Sequence, residues 1–223
     1  MRLRLSAAVA ASLLAAACSR TPPPAATPAP APEPVVAMIP APMPKGATPG
    51  MRIPARLPDG RWATPNVGLS AAGMTWHLRA ALNVAVLACH GPQQAAMVDA
   101  YNTLLNTRKA ELANAQTALQ QEYRATRGKE WEDAFDDQMT RLYNFFAQDF
   151  AHAAFCAAAE DALTTIATVP PSGLSSYAAQ RLPVLEAPFT DFFAAYDRWR
   201  TGTLVRAPQA PTAVAASGLA ATG

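Results

Sequence analysis

Histidine and cysteine are scarce in this chain, with three of each among 223 residues, and only 15% of its residues are charged. Such numbers exclude arrays of paired Cys and His that build zinc modules, whose ligands recur at short fixed spacings. Gly-x-Ser-x-Gly, His-Glu-x-x-His and a glycine-rich phosphate loop are all missing, so the nucleophile elbow, the zinc-protease helix and the nucleotide cradle have no counterpart. No catalytic activity is implied. The N-terminal apolar segment from Leu5 to Ala17, broken only by Ser6 and Ser12, has 13 residues, against about 20 for a helix that crosses a hydrocarbon core. Sustained strand-like alternation is absent as well.

What is there begins with Arg2 and Arg4, followed by that short apolar run and the small residues "AAA" before Cys18. A basic start, an apolar middle and a small-residue end make a secretory signal that is removed, assigned here to residues 1–17. Cys18 lies on the seam between this run and "SRTPPPAATPAPAPEP". The region resembles the signal of a bacterial lipoprotein, in which a peptidase cuts before a cysteine whose thiol carries lipid. That family most often has Leu three positions before the cysteine, whereas Ala15 stands there and the leucine is Leu14. The same alanines satisfy ordinary signal cleavage, which releases a soluble periplasmic or secreted protein. The resemblance implies a lipidated Cys18, with several acyl chains anchoring firmly in a membrane. Ser19 in place of Asp implies, by the same resemblance, sorting to the outer membrane of the cell envelope.

Of 21 prolines, 14 lie between Pro22 and Pro65. Alternating Pro, Ala and Thr cannot bury enough apolar surface to offset its ordering entropy and favours extended polyproline II. Residues 18–50 are therefore expected to form a disordered tether, which at about 3.1 Å per residue reaches up to roughly 90 Å. "APQAPTAVAASGLAATG", residues 207–223, has the same character and is expected to be a disordered tail.

The folded part between these ends is acidic. Residues 70–206 hold 11 Lys or Arg and 14 Asp or Glu, a net of −3 by subtraction, although the whole chain is +2. A nucleic-acid partner is excluded on this ground, because phosphate neutralisation needs a basic face on the folded body.

With Cys18 taken as the anchor, Cys89 and Cys156 remain as an even pair in an exported, oxidising setting. Cys89 closes the apolar row Leu78, Leu82, Ala85, and Cys156 lies beside the row Phe155, Ala159, Leu163, Ile166. Two helices packed through those rows bring the sulfurs together, and a disulfide is expected; two separate buried thiols are the alternative.

Residues 51–206 form the expected domain, opening with a loop or hairpin over 51–69 around the Pro-Asp-Gly turn at Pro58. Spacing of three and four then predicts an all-α bundle of about five to six helices. The first is capped by Ser70 and stopped by Gly91 and Pro92; a long second runs from Pro92 to about Thr126, with Gly128 ending it. "KEWEDAFDDQMTRLYNFFAQ" is the third, residues from about Asp149 to Thr168 the fourth, and two shorter helices divided around Pro188 finish the domain.

Candidate chemistry in this bundle is thin. "VLACH" ending at His90 has only the second half of the Cys-x-x-Cys-His pattern, since Val86 occupies the first cysteine position, so no haem and no other cofactor is implied. Weak metal candidates are Asp133 and Asp137, one helical turn apart in an acidic stretch, and Asp149 with His152 at i, i+3. The plainer readings are acids favoured by a helix start and a capping Asp near a surface or core His. The expectation is a membrane-tethered envelope protein that binds or scaffolds a partner, with a helical carrier or enzyme using a metal, haem or small ligand as the alternative.

Overall fold

The computed structural model describes residues 37–207. The signal, Cys18, the tether as far as Val36 and the tail from Pro208 lie outside the described residues. Within them the chain is all-α: α1 (Ala71–Ala88), α2 (Gln94–Thr107), α3 (Lys109–Arg127), α4 (Trp131–Phe146), α5 (His152–Ile166) and α6 (Leu174–Arg200). Single 3₁₀ turns at Gly128–Glu130 and Asp149–Ala151 precede α4 and α5. Two three-residue strands, β1 (Met38–Pro40) and β2 (Leu204–Arg206), pair antiparallel.

α1 is the central element, packing against each of the other five helices. Its composition makes this possible, because Ala80, Ala81 and Ala85 are buried small residues that let neighbouring backbones approach. The Ser70 hydroxyl accepts from the Gly73 N–H at 3.0 Å, satisfying a donor that the first turn would otherwise leave unpaired. Opposite the alanines, α4, α5 and α6 contribute an aromatic core. The Phe189 ring lies 4.7 Å from Phe145, 5.6 Å from Phe146 and 5.4 Å from Phe155, in tilted and edge-on arrangements that ring quadrupoles favour.

Three boundaries differ from expectation. The helix expected from Pro92 to Thr126 is interrupted at Arg108, whose backbone leaves the helical region at φ −110°, ψ 18°. Its apolar stripe continues across the joint, but the two halves serve different neighbours: α2 packs on α5, and α3 on α4, with both touching α1. The Arg108 side chain fixes the joint by donating to the carbonyls of Val169 and, at 3.1 Å, Pro170, and to the Glu111 carboxylate at 3.2 Å.

The expected division around Pro188 does not occur, and α6 runs unbroken for 27 residues with Pro183 and Pro188 inside it. Proline removes an N–H and frees the carbonyl four residues back. Those carbonyls belong to Ala179 and Val184, both exposed residues, so water can satisfy them. Meanwhile Leu182, Leu185, Phe189, Phe192, Phe193 and Tyr196 are buried along the whole length, and that burial outweighs the local preference to break.

The folded body also begins earlier than residue 51. The Ala41 N–H donates to Thr203 at 2.9 Å, and the Tyr196 hydroxyl to the Thr48 carbonyl at 3.1 Å. Gly46, at φ +87°, packs so closely on Phe150 that an added Cβ would stand 3.1 Å from the Phe150 Cβ. Residues 37–50 thus belong to the domain, because backbone pairing and one buried tyrosine hold a segment that composition assigns to the tether. The Pro-Asp-Gly turn closes a tight hairpin, with Leu57 N–H donating to Arg61 at 2.8 Å and Arg56 bridging Trp62. Among the described residues no helix is long and apolar enough to cross a membrane.

Candidate functional site

Beyond that hairpin the chain runs over the bundle from Arg61 to Val67, pinned by Trp62. The Trp62 ring is buried edge-on against Phe193 at 5.7 Å, and the Arg56 guanidinium lies 3.9 Å from its centroid. This anchor points the next polar side chains inward. Thr64 donates its hydroxyl to the Glu186 carboxylate of α6, the Pro65 carbonyl accepts from Gln138 of α4 at 2.9 Å, and Asn66 Oδ1 lies 2.9 Å from His77 Nδ1 of α1. Three helices therefore hold one seven-residue segment.

His77 is 1% exposed, and burial pushes its pKa down from 6.5 to about 4. It is neutral near pH 7, and with Asn66 Oδ1 as acceptor its proton sits on Nδ1. Enclosed in this way, His77 has no route to an external substrate and acts as a link between α1 and the segment. The Asn66 Nδ2 group, shielded from solvent, has no hydrogen-bond partner. A buried donor left unpaired costs about 1–3 kcal/mol.

Between this segment and α6 lies a cavity of about 310 Å³, lined by Trp62, Thr64, Asn66, Glu186, Asp191 and Arg61, among others. Arg61 is engaged by Asp59, at 2.7 and 2.8 Å, while Glu186 and Asp191 contribute two carboxylates. An aromatic anchor and two acids suit a ligand that carries a cationic group. A larger apolar groove of about 330 Å³ between α2 and α5 has Arg108 as its only charged liner. That guanidinium is already spent on Glu111 and two carbonyls.

Cys89 and Cys156 come to disulfide-bonding distance, with Cα atoms 5.6 Å apart. Asp133 and Asp137 are exposed on α4 and Asp149 is exposed before α5. His152 Nε2 lies 3.6 Å from Cys156 Sγ, because i, i+4 on α5 puts both side chains on one face. Asp133, Asp137 and Asp149 belong to none of the potential metal-binding groups of the described residues, whereas Cys89, His152 and Cys156 form one. Sequence reasoning missed Thr64, Asn66, His77 and Glu186. Only the Trp-x-Thr-x-Asn run of a nominal loop hinted at them.

Fold and site together define a single helical domain with a cysteine pair at one end and a polar, acid-lined cavity under a pinned loop. Compared with protein-family models, curated proteins and solved structures, the chain matches none.

Proposed function

We propose that this is an exported binding protein of the bacterial envelope, held at the membrane by lipid on Cys18 and displayed on the Pro-rich tether. It captures a protein partner by taking a basic side chain into the cavity between residues 61–67 and α6. The observation that carries the reading is the conjunction of Glu186 and Asp191 around one cavity anchored by Trp62. The two carboxylates favour the cation. His77 is sealed beneath the segment and takes no direct part in the capture.

A photo-crosslinking residue placed at the exposed Ala63, in the segment over the cavity, in the full-length, membrane-bound protein tests this. One adduct should form, and it should fall at least about tenfold in Glu186→Gln, the loss expected for a charged hydrogen bond. Adducts insensitive to Glu186→Gln would overturn the cavity assignment, and a Soret band in the purified protein would replace it with a haem carrier. Cys18→Ala should move the protein from the membrane to the soluble fraction; unchanged fractionation would remove the lipid anchor.

A further inference from the structure

At the far end of α1, the cysteine pair has a third member. Cys89 follows α1, while His152 and Cys156 stand one turn apart on α5. The two sulfurs and an imidazole nitrogen all lie within 4.8 Å of one another. Cys89 is buried, whereas Cys156 and His152 are partly exposed. A cavity of about 250 Å³ opens over the pair, with Met97 and Glu160 among its walls.

We propose that reduction converts this cluster into a binding site for a d¹⁰ cation, Cu(I) or Zn(II), with Cys89 Sγ, Cys156 Sγ and His152 Nε2 as its ligands. Two thiolates and an imidazole are the donors such cations select, and carboxylates, which suit harder ions, are not among the three. Ligands spread over a sphere of metal–sulfur and metal–nitrogen bonds of about 2.0–2.3 Å stand roughly 3.5–4 Å apart. The three atoms need move little to reach that spacing once the sulfur–sulfur bond is gone. Their placement is fixed by the contact of α1 with α5 and by helical spacing, both of which outlast the bridge. The overlying cavity leaves a fourth coordination position open.

The conversion balances with an external dithiol as reductant. Two electrons pass from it to the Cys89–Cys156 bond; its own sulfurs join as a disulfide, and each protein sulfur takes up one proton. Metal binding then displaces those two protons to solvent, and the His152 imidazole contributes a lone pair from Nε2. In the oxidised form neither sulfur carries the thiolate charge a metal needs, so the bridge keeps the site closed.

The test uses the full-length protein, oxidised or reduced with a dithiol that is then removed under anaerobic conditions. Each form is loaded separately with Zn(II) or Cu(I), passed through gel filtration and assayed for metal. About one equivalent of at least one cation should remain on the reduced chain and none on the oxidised chain, and reduced His152→Ala should bind at least about tenfold more weakly, since even outer-shell partners of a metal contribute that much. Far-UV circular dichroism of the reduced protein should keep its helical signal. Equal retention by oxidised and reduced protein, retention of neither cation, or His152→Ala behaving as wild type would overturn the proposal. So would loss of binding in His90→Ala but not in His152→Ala, or loss of the helical signal on reduction.

Discussion

Glu111 is predicted to be worth more to stability than its position on the surface of α3 suggests. One carboxylate oxygen accepts from Arg108 at 3.2 Å, and the other accepts from the Leu174 N–H at 3.1 Å. The second bond caps α6, whose own preceding residue, Gly173, has no side chain to do so. Leu174 is 1% exposed, so its amide has no ready water substitute. Loss of a side-chain cap costs about 1 kcal/mol, and a largely exposed ion pair contributes up to about 1 kcal/mol. The Arg108–Glu111 pair is 13% and 25% exposed and sits near the upper end of that range. Glu111→Ala should therefore destabilise by about 2 kcal/mol. Glu111→Gln, which keeps an acceptor for Leu174 but loses the charge facing Arg108, should cost about half as much. Urea unfolding followed by circular dichroism gives the global values, and amide exchange at Leu174 gives the local one, with protection lowered about tenfold or more in Glu111→Ala, as about 1.4 kcal/mol corresponds to tenfold. A Glu111→Ala variant within about 0.5 kcal/mol of wild type, the usual range of neutral surface changes, would refute the capping argument, as would equal effects of Ala and Gln.

Two further outcomes follow from His77 and from the cysteine pair. Because burial holds the folded-state imidazole of His77 at about 4, below its ordinary 6.5, the unfolded chain binds the extra proton between those values. Stability should rise with pH across that window and be lost as the pH falls, by at most about 1.4 kcal/mol per unit; urea midpoints of wild type and His77→Gln between pH 7 and pH 4 should converge as the pH drops, and parallel profiles would count against it. Cys89 and Cys156 are 67 residues apart in sequence, and a bridge closing such a loop stabilises by about 4 kcal/mol through the unfolded chain; the double alanine variant should show that loss in urea, and unchanged stability would mean the sulfurs are not joined.

What was legible in the sequence is what repeats along a helix. The rows ending at Cys89 and running beside Cys156 predicted which helices meet and which sulfurs approach, because apolar periodicity reports the buried face directly. Ser70 was readable as a cap for the same local reason. Features set by distant neighbours were not. The break at Arg108 depends on carbonyls of residues 169 and 170, and the survival of α6 through Pro188 depends on aromatic burial supplied by α4 and α5. The cavity is the extreme case: Thr64, Asn66 and Glu186 lie on a loop and a helix, and the loop that joins them is set by Trp62's burial and by hydrogen bonds to three helices distant in sequence. Residues 37–50 read as tether because proline content outweighs, in composition, the few hydrogen bonds that dock the segment.

The pairing of β1 with β2 has a geometric corollary. The Ala207 N–H donates to the Ala37 carbonyl at 2.9 Å, so the two ends of the described body meet at one point and the domain is close to a closed ring. A force or an attachment arriving through either end enters at the same pole, leaving the orientation of the bundle unchanged. A short peptide joining Ala207 to Ala37 would complete the circle, and new ends could be opened elsewhere, at the exposed turn around Gly128, without changing which helices touch.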